Sequence, residues 1–327
     1  MNTVIPFSPL ITYVSTQEEL SRHLPLLNAL NRPVLVLCSA EIDEEVEVNE
    51  NILAVAVENV DDEELWPLLE RLHPEGILIM DSNDSILHHG QGLGVPIINI
   101  ASTETVDEQT AIINREAPCR YLQTGEVHKL HIGCGPFVMA GWLNVDLECN
   151  HPEIRYMNAG RAYPFPDNSF DYIFSEHLFE HLSIVEQTVM LKECCRILKP
   201  GGRMRVAMPN LHFLMDLYIN PEKEINRKYL AWSYRLFGIR AGVSQVSEKD
   251  YPIHVINNFF HLWGHQFIHT PESLERMASN IGFADIESFK IGHSDTPELQ
   301  DLERHGQNIP SWANELETFV LEMKKTS

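Results

Sequence analysis

Short apolar runs of strand length alternate with polar, helix-periodic stretches along most of the chain, and this alternation predicts a mixed α/β fold. In the first part the runs are 11–14 (ITYV), 34–38 (VLVLC), 52–57 (ILAVAV), 76–80 (GILIM) and 95–100 (VPIINI). Ser15 followed by Glu18 reads as a capping box opening a helix with Leu20, Leu24 and Leu27 on one side. Asp61 and Asp62 open a second helix bearing Leu65, Leu68, Leu69 and Leu72. Each can cover one face of a parallel sheet. Residues 81–94 predict a strand end, a loop, a short helix and a turn. The stretch 103–125 is polar and poorly periodic, which puts a domain boundary there. Beyond residue 127 the alternation resumes with KLHIG, WLNVD, DYIF and RMRVAMP as strands, a helix over 185–198, and a turn at Lys199, Pro200, Gly201 and Gly202.

The length of 327 residues favours two domains, 1–120 and 121–327. No apolar stretch approaches the ~20 residues that cross a bilayer, and the N-terminus lacks the basic start and cleavage site of a signal peptide. No membrane insertion and a cytoplasmic location are therefore expected. The six cysteines (Cys38, Cys119, Cys134, Cys149, Cys194 and Cys195) form no C-x-x-C pair and predict free thiols. The net charge of −23 is uneven: 21 acidic and 5 basic side chains fall within residues 1–120, a balance of −16 against −7 for the remainder. Such a field repels phosphate backbones, so no nucleic-acid partner is expected. An acidic face usually means a solvated surface rather than a docking site for a basic partner.

The first stretch that carries chemistry is Leu130, His131, Ile132, Gly133, Cys134, Gly135 and Pro136, a hydrophobic strand running into a glycine turn. Glycine there permits positive φ and close approach of backbone to a ligand, which predicts no room for a side chain at Gly133 or Gly135. Asp146 ends the next strand, where a carboxylate can accept both hydroxyl protons of a ribose.

More specific is the order G-C-G, then V-D, then Asn158-Ala159 with "YPFPDNSFDYIFSEHLFEHL", then "ECCRILKPGGRMRVAMPN". This order resembles the class I S-adenosylmethionine-dependent methyltransferases, over about residues 128–290. The resemblance implies a Rossmann-like methyltransferase domain preceded by a smaller Rossmann-like α/β domain. It implies S-adenosyl-L-methionine as cofactor, held by Gly133, Cys134, Gly135, Asp146, Leu147, Asn158, Ala159, Ser175 and Glu176. Phe137 stands where a third glycine is usual, Asn158 where an acid is commoner, and the interval from Gly135 to Asp146 is too short for a full helix between the strands. With the segment from Asn257 to His265 (NNFFHLWGH), these departures look like a subgroup of predicted methyltransferases associated with polysaccharide biosynthesis.

His177, Leu178, Phe179, Glu180 and His181 match the H-x-x-E-H pattern of one metallopeptidase group, with both imidazoles on one helical face. The surrounding methyltransferase motifs argue against that reading, and no metal is expected. His261, His265 and His269 have the spacing of a helical ligand row, but Gly264, Thr270 and Pro271 predict partly loop. Thr270, Pro271 and Glu272 open a further helix with Leu274 and Met277 inward, closed by Ile281, Gly282 and Phe283. The aromatic insert 211–265 (Phe213, Tyr218, Tyr229, Trp232, Tyr234, Phe237 and Tyr251 among it) predicts a cap over the acceptor pocket, with half of its rings in the core.

The resulting expectation is a methyltransferase acting on a small-molecule or sugar acceptor, at oxygen, with His177, His181 and His265 as candidate bases. A non-catalytic methyltransferase-like scaffold and a two-domain sugar-nucleotide enzyme are the alternatives. The segment from Asp81 through the strand 95–100 resembles, generically, one half of a nucleotide-sugar-binding fold, but without a phosphate loop residues 1–115 read better as a docking or dimerisation element, through which a homo-oligomer could form.

Overall fold

The computed structural model describes residues 9–39, 52–57, 60, 65–72, 74–80, 86, 93, 95–100, 105–116, 119–148, 151, 153–237 and 246–326. The chain divides into two compact units, Met1–Phe170 and Asp171–Ser327.

In the first unit, strands β1 (Leu10–Val14), β2 (Val34–Cys38), β3 (Ile52–Ala56), β4 (Gly76–Ile79) and β5 (Ile97–Asn99) form a sheet of order β3-β2-β1-β4-β5. All its pairings are parallel. The runs lack polar alternation because both faces are covered. Val34, Val36 and Cys38 of β2 join Leu10, Leu20, Leu27 and Ile113 on one side. Leu35 and Leu37 join Ile11, Trp66 and Leu69 on the other.

Helix α1 (Gln17–Ala29) is capped one residue later than the sequence suggests. Thr16, extended at φ −140°, accepts from the Glu19 N–H, while Glu19 takes the amide and hydroxyl of Ser15 at 2.7 Å each. Helix α2 (Leu65–Glu70) buries Trp66 and Leu69, but Leu68 is 56% exposed. The stripe is therefore narrower than four leucines implied. The proposed helix start at Asp61 and Asp62, and nearly all of 81–94, lie outside the described residues. The stretch 103–125 is less featureless than its composition suggests. It holds α3 (Val106–Glu116) and a 3-10 turn, Arg120–Gln123. Ile113 is fully buried and Val106 and Ile112 pack beside it, enough apolar surface to fix a helix among polar neighbours.

The same unit holds β6 (Lys129–Ile132), β7 (Leu143–Asp146) and β8 (Ile154–Tyr156), parallel in the order β6-β7-β8. Residues 133–142 are turns and bends without a helix, as the short interval required. Buried polar contacts tie this segment to the five-stranded sheet. Glu75, before β4, pairs with Arg155 of β8 at 2.5 Å and with Arg32, and also accepts the Arg120 N–H at 3.1 Å. Asn31, at φ 48°, accepts the Asn158 N–H at 2.8 Å and donates to the Ala162 carbonyl at 2.8 Å.

In the second unit, β9 (Phe170–Glu176) neighbours β10 (Leu198–Pro209), which pairs antiparallel with β12 (Thr318–Lys325). β12 in turn pairs antiparallel with β11 (Phe283–Phe289). The turn expected at Lys199–Gly202 is instead a kink inside β10: Gly201 sits at φ +81° and extended chain continues on both sides. Helix α4 (Ile184–Ile197) starts with a complete capping box between Ser183 and Glu186. Helices α5 (Leu211–Ile219), α6 (Glu224–Phe237) and α7 (Tyr251–His261) share one apolar cluster, and α8 (Pro271–Ile281) and α9 (Ser311–Glu317) complete the unit. Among the described residues no helix is long and apolar enough to cross a membrane.

Glu75 neutralises two buried guanidinium groups, so removing it leaves both uncompensated. Glu75→Ala is expected to lower unfolding free energy by about 3–5 kcal/mol, read from urea denaturation. A loss below about 1 kcal/mol would show that the cluster contributes little.

Candidate active site

The predicted site residues fall into two sets, one in each unit. In the first unit, Gly133 and Gly135 follow β6 at φ 70° and 51°. A Cβ built at Gly135 meets nothing within 4 Å, so its requirement is conformational, and the expectation of no space for a side chain is corrected. Asp146 closes β7 and organises the loop: Oδ2 accepts the Gly135 N–H at 2.8 Å and Oδ1 accepts the Glu148 N–H at 3.0 Å. Each oxygen retains a second acceptor site. Cys134 is buried, with its N–H directed to the Val145 carbonyl at 3.2 Å. Leu147 is 47% exposed. Asn158 turns its Oδ1 onto the Gly160 N–H at 2.8 Å, and Ala159 is 5% exposed. The open space at Gly135 and the spare acceptor capacity of Asp146 fit a ribose-bearing cofactor in this loop.

In the second unit, β9 carries Ser175, fully buried with an unpartnered hydroxyl, and Glu176. Both oxygens of Glu176 accept main-chain N–H groups, from Arg304 at 2.7 Å and His305 at 3.0 Å, so the side chain fixes the 300–307 loop. His177 follows at φ 47°, its N–H held by the Ala207 carbonyl at 2.9 Å. The chain bends there into a single 3-10 turn, Phe179–His181. The H-x-x-E-H segment is therefore not a helical face.

Of these residues, His177, Glu180 and His181 line a cavity of about 440 Å³. Its polar wall is His177, Glu180, His181, His265, His305 and Glu317, and its apolar wall includes Tyr229, Phe237, Phe259 and Trp263. His177 Nδ1 lies 2.9 Å from Oε1 of Glu180, and Nε2 lies 3.1 Å from the Thr318 hydroxyl. The His305 ring stacks on it, centroids 3.8 Å apart. Burial disfavours the His177 imidazolium, but the charge and hydrogen bond of Glu180, with Glu176 and Glu317, outweigh this and raise its pKa. Burial likewise opposes ionisation of Glu180, yet His177, then His265 and His181, hold its pKa below the usual carboxylate range. Glu317 accepts from the Tyr229 hydroxyl and lies 3.3 Å from His305 Nε2.

His265 hydrogen-bonds through Nδ1 to the Phe259 carbonyl at 2.7 Å, and burial lowers its pKa. His261 and His269 do not join it: His261 ends α7 exposed, and His269 is buried between Ser273 and Gln187, 2.8 Å from each. Trp263 and Gly264, both at positive φ, break the helical spacing there, as the loop reading expected. Asn257 is exposed and bonds back to the Ile253 carbonyl at 2.8 Å. Within the insert Tyr229 and Tyr234 are core, Tyr218 is 60% exposed, and Phe237 faces the cavity.

Sequence reasoning singled out the three histidines but not Glu180 as their common partner, nor His305 and Glu317. Glu180 was visible inside the H-x-x-E-H segment. The other two come from beyond residue 290, where no motif marks them.

Residues 130–206 match the model of a family described as "Methyltransferase domain". Among solved structures, the chain is similar to a SAM dependent methyltransferase from Archaeoglobus fulgidus at 15% identity, covering 69% of this chain and 97% of that one with a TM-score of 0.35. It is similar to a SAM-dependent methyltransferase from Methanosarcina mazei (15% identity, 62% and 94% covered, TM-score 0.36) and to an S-adenosylmethionine dependent methyltransferase from Mesorhizobium loti (16% identity, 62% and 92% covered, TM-score 0.36). Likenesses at these TM-scores are weak. The match supports a methyltransferase domain, and so an enzyme, over residues 130–206.

Burial holds the His269 pKa down at about 4, against an ordinary 6.5. The unfolded chain therefore takes up that proton first, so the stability it contributes is complete above pH 6.5 and is lost as pH falls toward 4. Between pH 7 and pH 5 the wild-type urea midpoint is expected to fall more than that of His269→Phe. Parallel profiles would refute this.

Proposed function

We propose that this chain methylates a hydroxyl oxygen of a small-molecule or sugar acceptor seated in the second-unit cavity, as a member of the polysaccharide-associated subgroup. The observation that carries this reading is the Glu180–His177 pair set opposite an aromatic wall in one cavity. A carboxylate beneath an imidazole orients it and fixes its tautomer, which is the arrangement a general base needs. Glu180 accepts from Nδ1; Nε2 rests 3.1 Å from the Thr318 hydroxyl and takes a hydroxyl proton once it leaves that contact. Trp263, 44% exposed, offers a flat apolar face with one N–H donor, which suits a sugar ring.

Gly133, Cys134, Gly135 and Asp146 are the groups proposed to hold the cofactor, with Leu147, Asn158 and Ala159 beside the adenosine. Ser175 and Glu176 enter this set less directly, because the Glu176 carboxylate is occupied by the 300–307 loop. When bound, S-adenosylmethionine supplies a methyl carbon on a sulfonium and leaves as a neutral thioether, so no covalent help from the protein is required. The chain's work is alignment, exclusion of water and removal of the proton.

Residues 1–120 are proposed as a docking domain, since Asn31 and Glu75 direct their polar groups onto residues 155–162. A cytoplasmic setting accords with the free thiols of Cys38, Cys119, Cys134, Cys194 and Cys195.

Transfer of labelled methyl from S-adenosylmethionine to a panel of free sugars and small alcohols tests the reading. His177→Ala is expected to lower turnover by roughly 10²-fold or more while cofactor affinity stays within a factor of two or so. Undiminished turnover removes His177 as the base, and joint loss of affinity and thermal stability assigns it a packing role.

A further inference from the structure

The acceptor reading uses only one oxygen of Glu180 and leaves His181 and His265 without a task. Glu180 is fully buried; Oε1 meets His177, and Oε2 has no hydrogen-bond partner. A carboxylate oxygen sealed from water and unpartnered is costly unless a cation meets it. The Phe259 carbonyl can only accept, so Nδ1 of His265 carries the hydrogen and Nε2 presents a lone pair. That lone pair lies 4.0 Å from Oε1 of Glu180, one acceptor toward another. The His181 ring stands edge-on to His265, centroids 4.8 Å apart at 88°. One ligating atom from each of Glu180, His181 and His265 lies within 4.8 Å of the others.

From this we infer that Glu180, His181 and His265 form a binding site for a divalent transition-metal ion of the zinc type, opening onto the cavity. Two imidazoles and a carboxylate suit zinc and its neighbours rather than calcium or magnesium. An ion about 2.0–2.2 Å from each ligand sets those atoms roughly 3–4 Å apart, so the three ligating atoms close by about 1 Å around it. The outer contacts match those that orient metal ligands: Nδ1 of His265 on a carbonyl, and Glu180 hydrogen-bonded by His177. Three protein ligands leave an open position, where a bound acceptor hydroxyl would release its proton more readily. That role, unlike the site itself, rests on the acceptor reading above.

The full chain, stripped with a chelator, is titrated calorimetrically with Zn²⁺ and, separately, with S-adenosylhomocysteine. Wild type and His261→Ala, which alters an exposed histidine, are expected to take one ion per chain. His181→Ala and Glu180→Gln are expected to bind at least about 100-fold more weakly, more than the loss of an outer contact produces. The far-ultraviolet circular dichroism and thermal midpoint of each variant serve as the check on folding, and His265→Gln replaces either variant that fails it. Failure of wild type to take up the ion, or equal affinity in wild type and ligand variants, overturns the site. S-adenosylhomocysteine binding without Zn²⁺ binding refutes the metal site and leaves the donor reading intact; the reverse pattern upholds the site and removes that reading.

Discussion

Glu180 is the constraint on which the second unit turns. A carboxylate with no exposed surface would cost several kcal/mol if left ionised and alone, so its neighbours are arranged to hold the charge. His177 meets one oxygen, while His265 and His181 add favourable field. Its backbone does as much: the Glu180 carbonyl accepts the N–H groups of Gln266 at 2.7 Å and Phe267 at 3.2 Å. Gln187 binds the Phe179, Leu182 and Phe267 carbonyls together. The loop that delivers His265 is therefore fastened to the turn that delivers Glu180. One buried charge and one short turn thus fix three histidines around a cavity that aromatic side chains close from the other side.

The first unit solves a similar problem with the opposite sign of excess. Two guanidinium groups, Arg32 and Arg155, share Glu75 out of contact with water. Pairing one carboxylate with two cations binds residues far apart in sequence into one body, and Asn31 extends the same connection to the turn at 158–162. The glycine loop after β6 is held by a lighter device, the two oxygens of Asp146, each of which keeps capacity for a ligand.

Much of this was legible in the sequence because it rests on local rules. The strand of β2 matches its apolar run residue for residue, and α8 begins and ends at the Thr270 and Gly282 signals that predicted it. What escaped rests on tertiary contact. β12 follows α9 with no intervening turn signal, and its pairing with β10 and β11 is not encoded locally. α3 is helical because Ile113 finds a core, which composition alone does not reveal. His305 reaches the cavity on a loop anchored by Glu176, a connection across more than 120 residues, and Glu317 reaches it from the end of α9. His177, His181 and His265 were identifiable as chemistry-bearing residues, but their grouping around Glu180 depends on positive-φ positions at His177 and Trp263 that residue type does not announce.

The central claim is that the loop closed by Asp146 holds S-adenosylmethionine. Calorimetric titration of wild type and Asp146→Ala with S-adenosylhomocysteine tests it without knowledge of the acceptor. One site per chain is predicted, weakened in the variant by about 1.5–3 kcal/mol, the worth of hydrogen bonds to a charged group. Absence of binding to the wild type, or an affinity unchanged in Asp146→Ala, would contradict it.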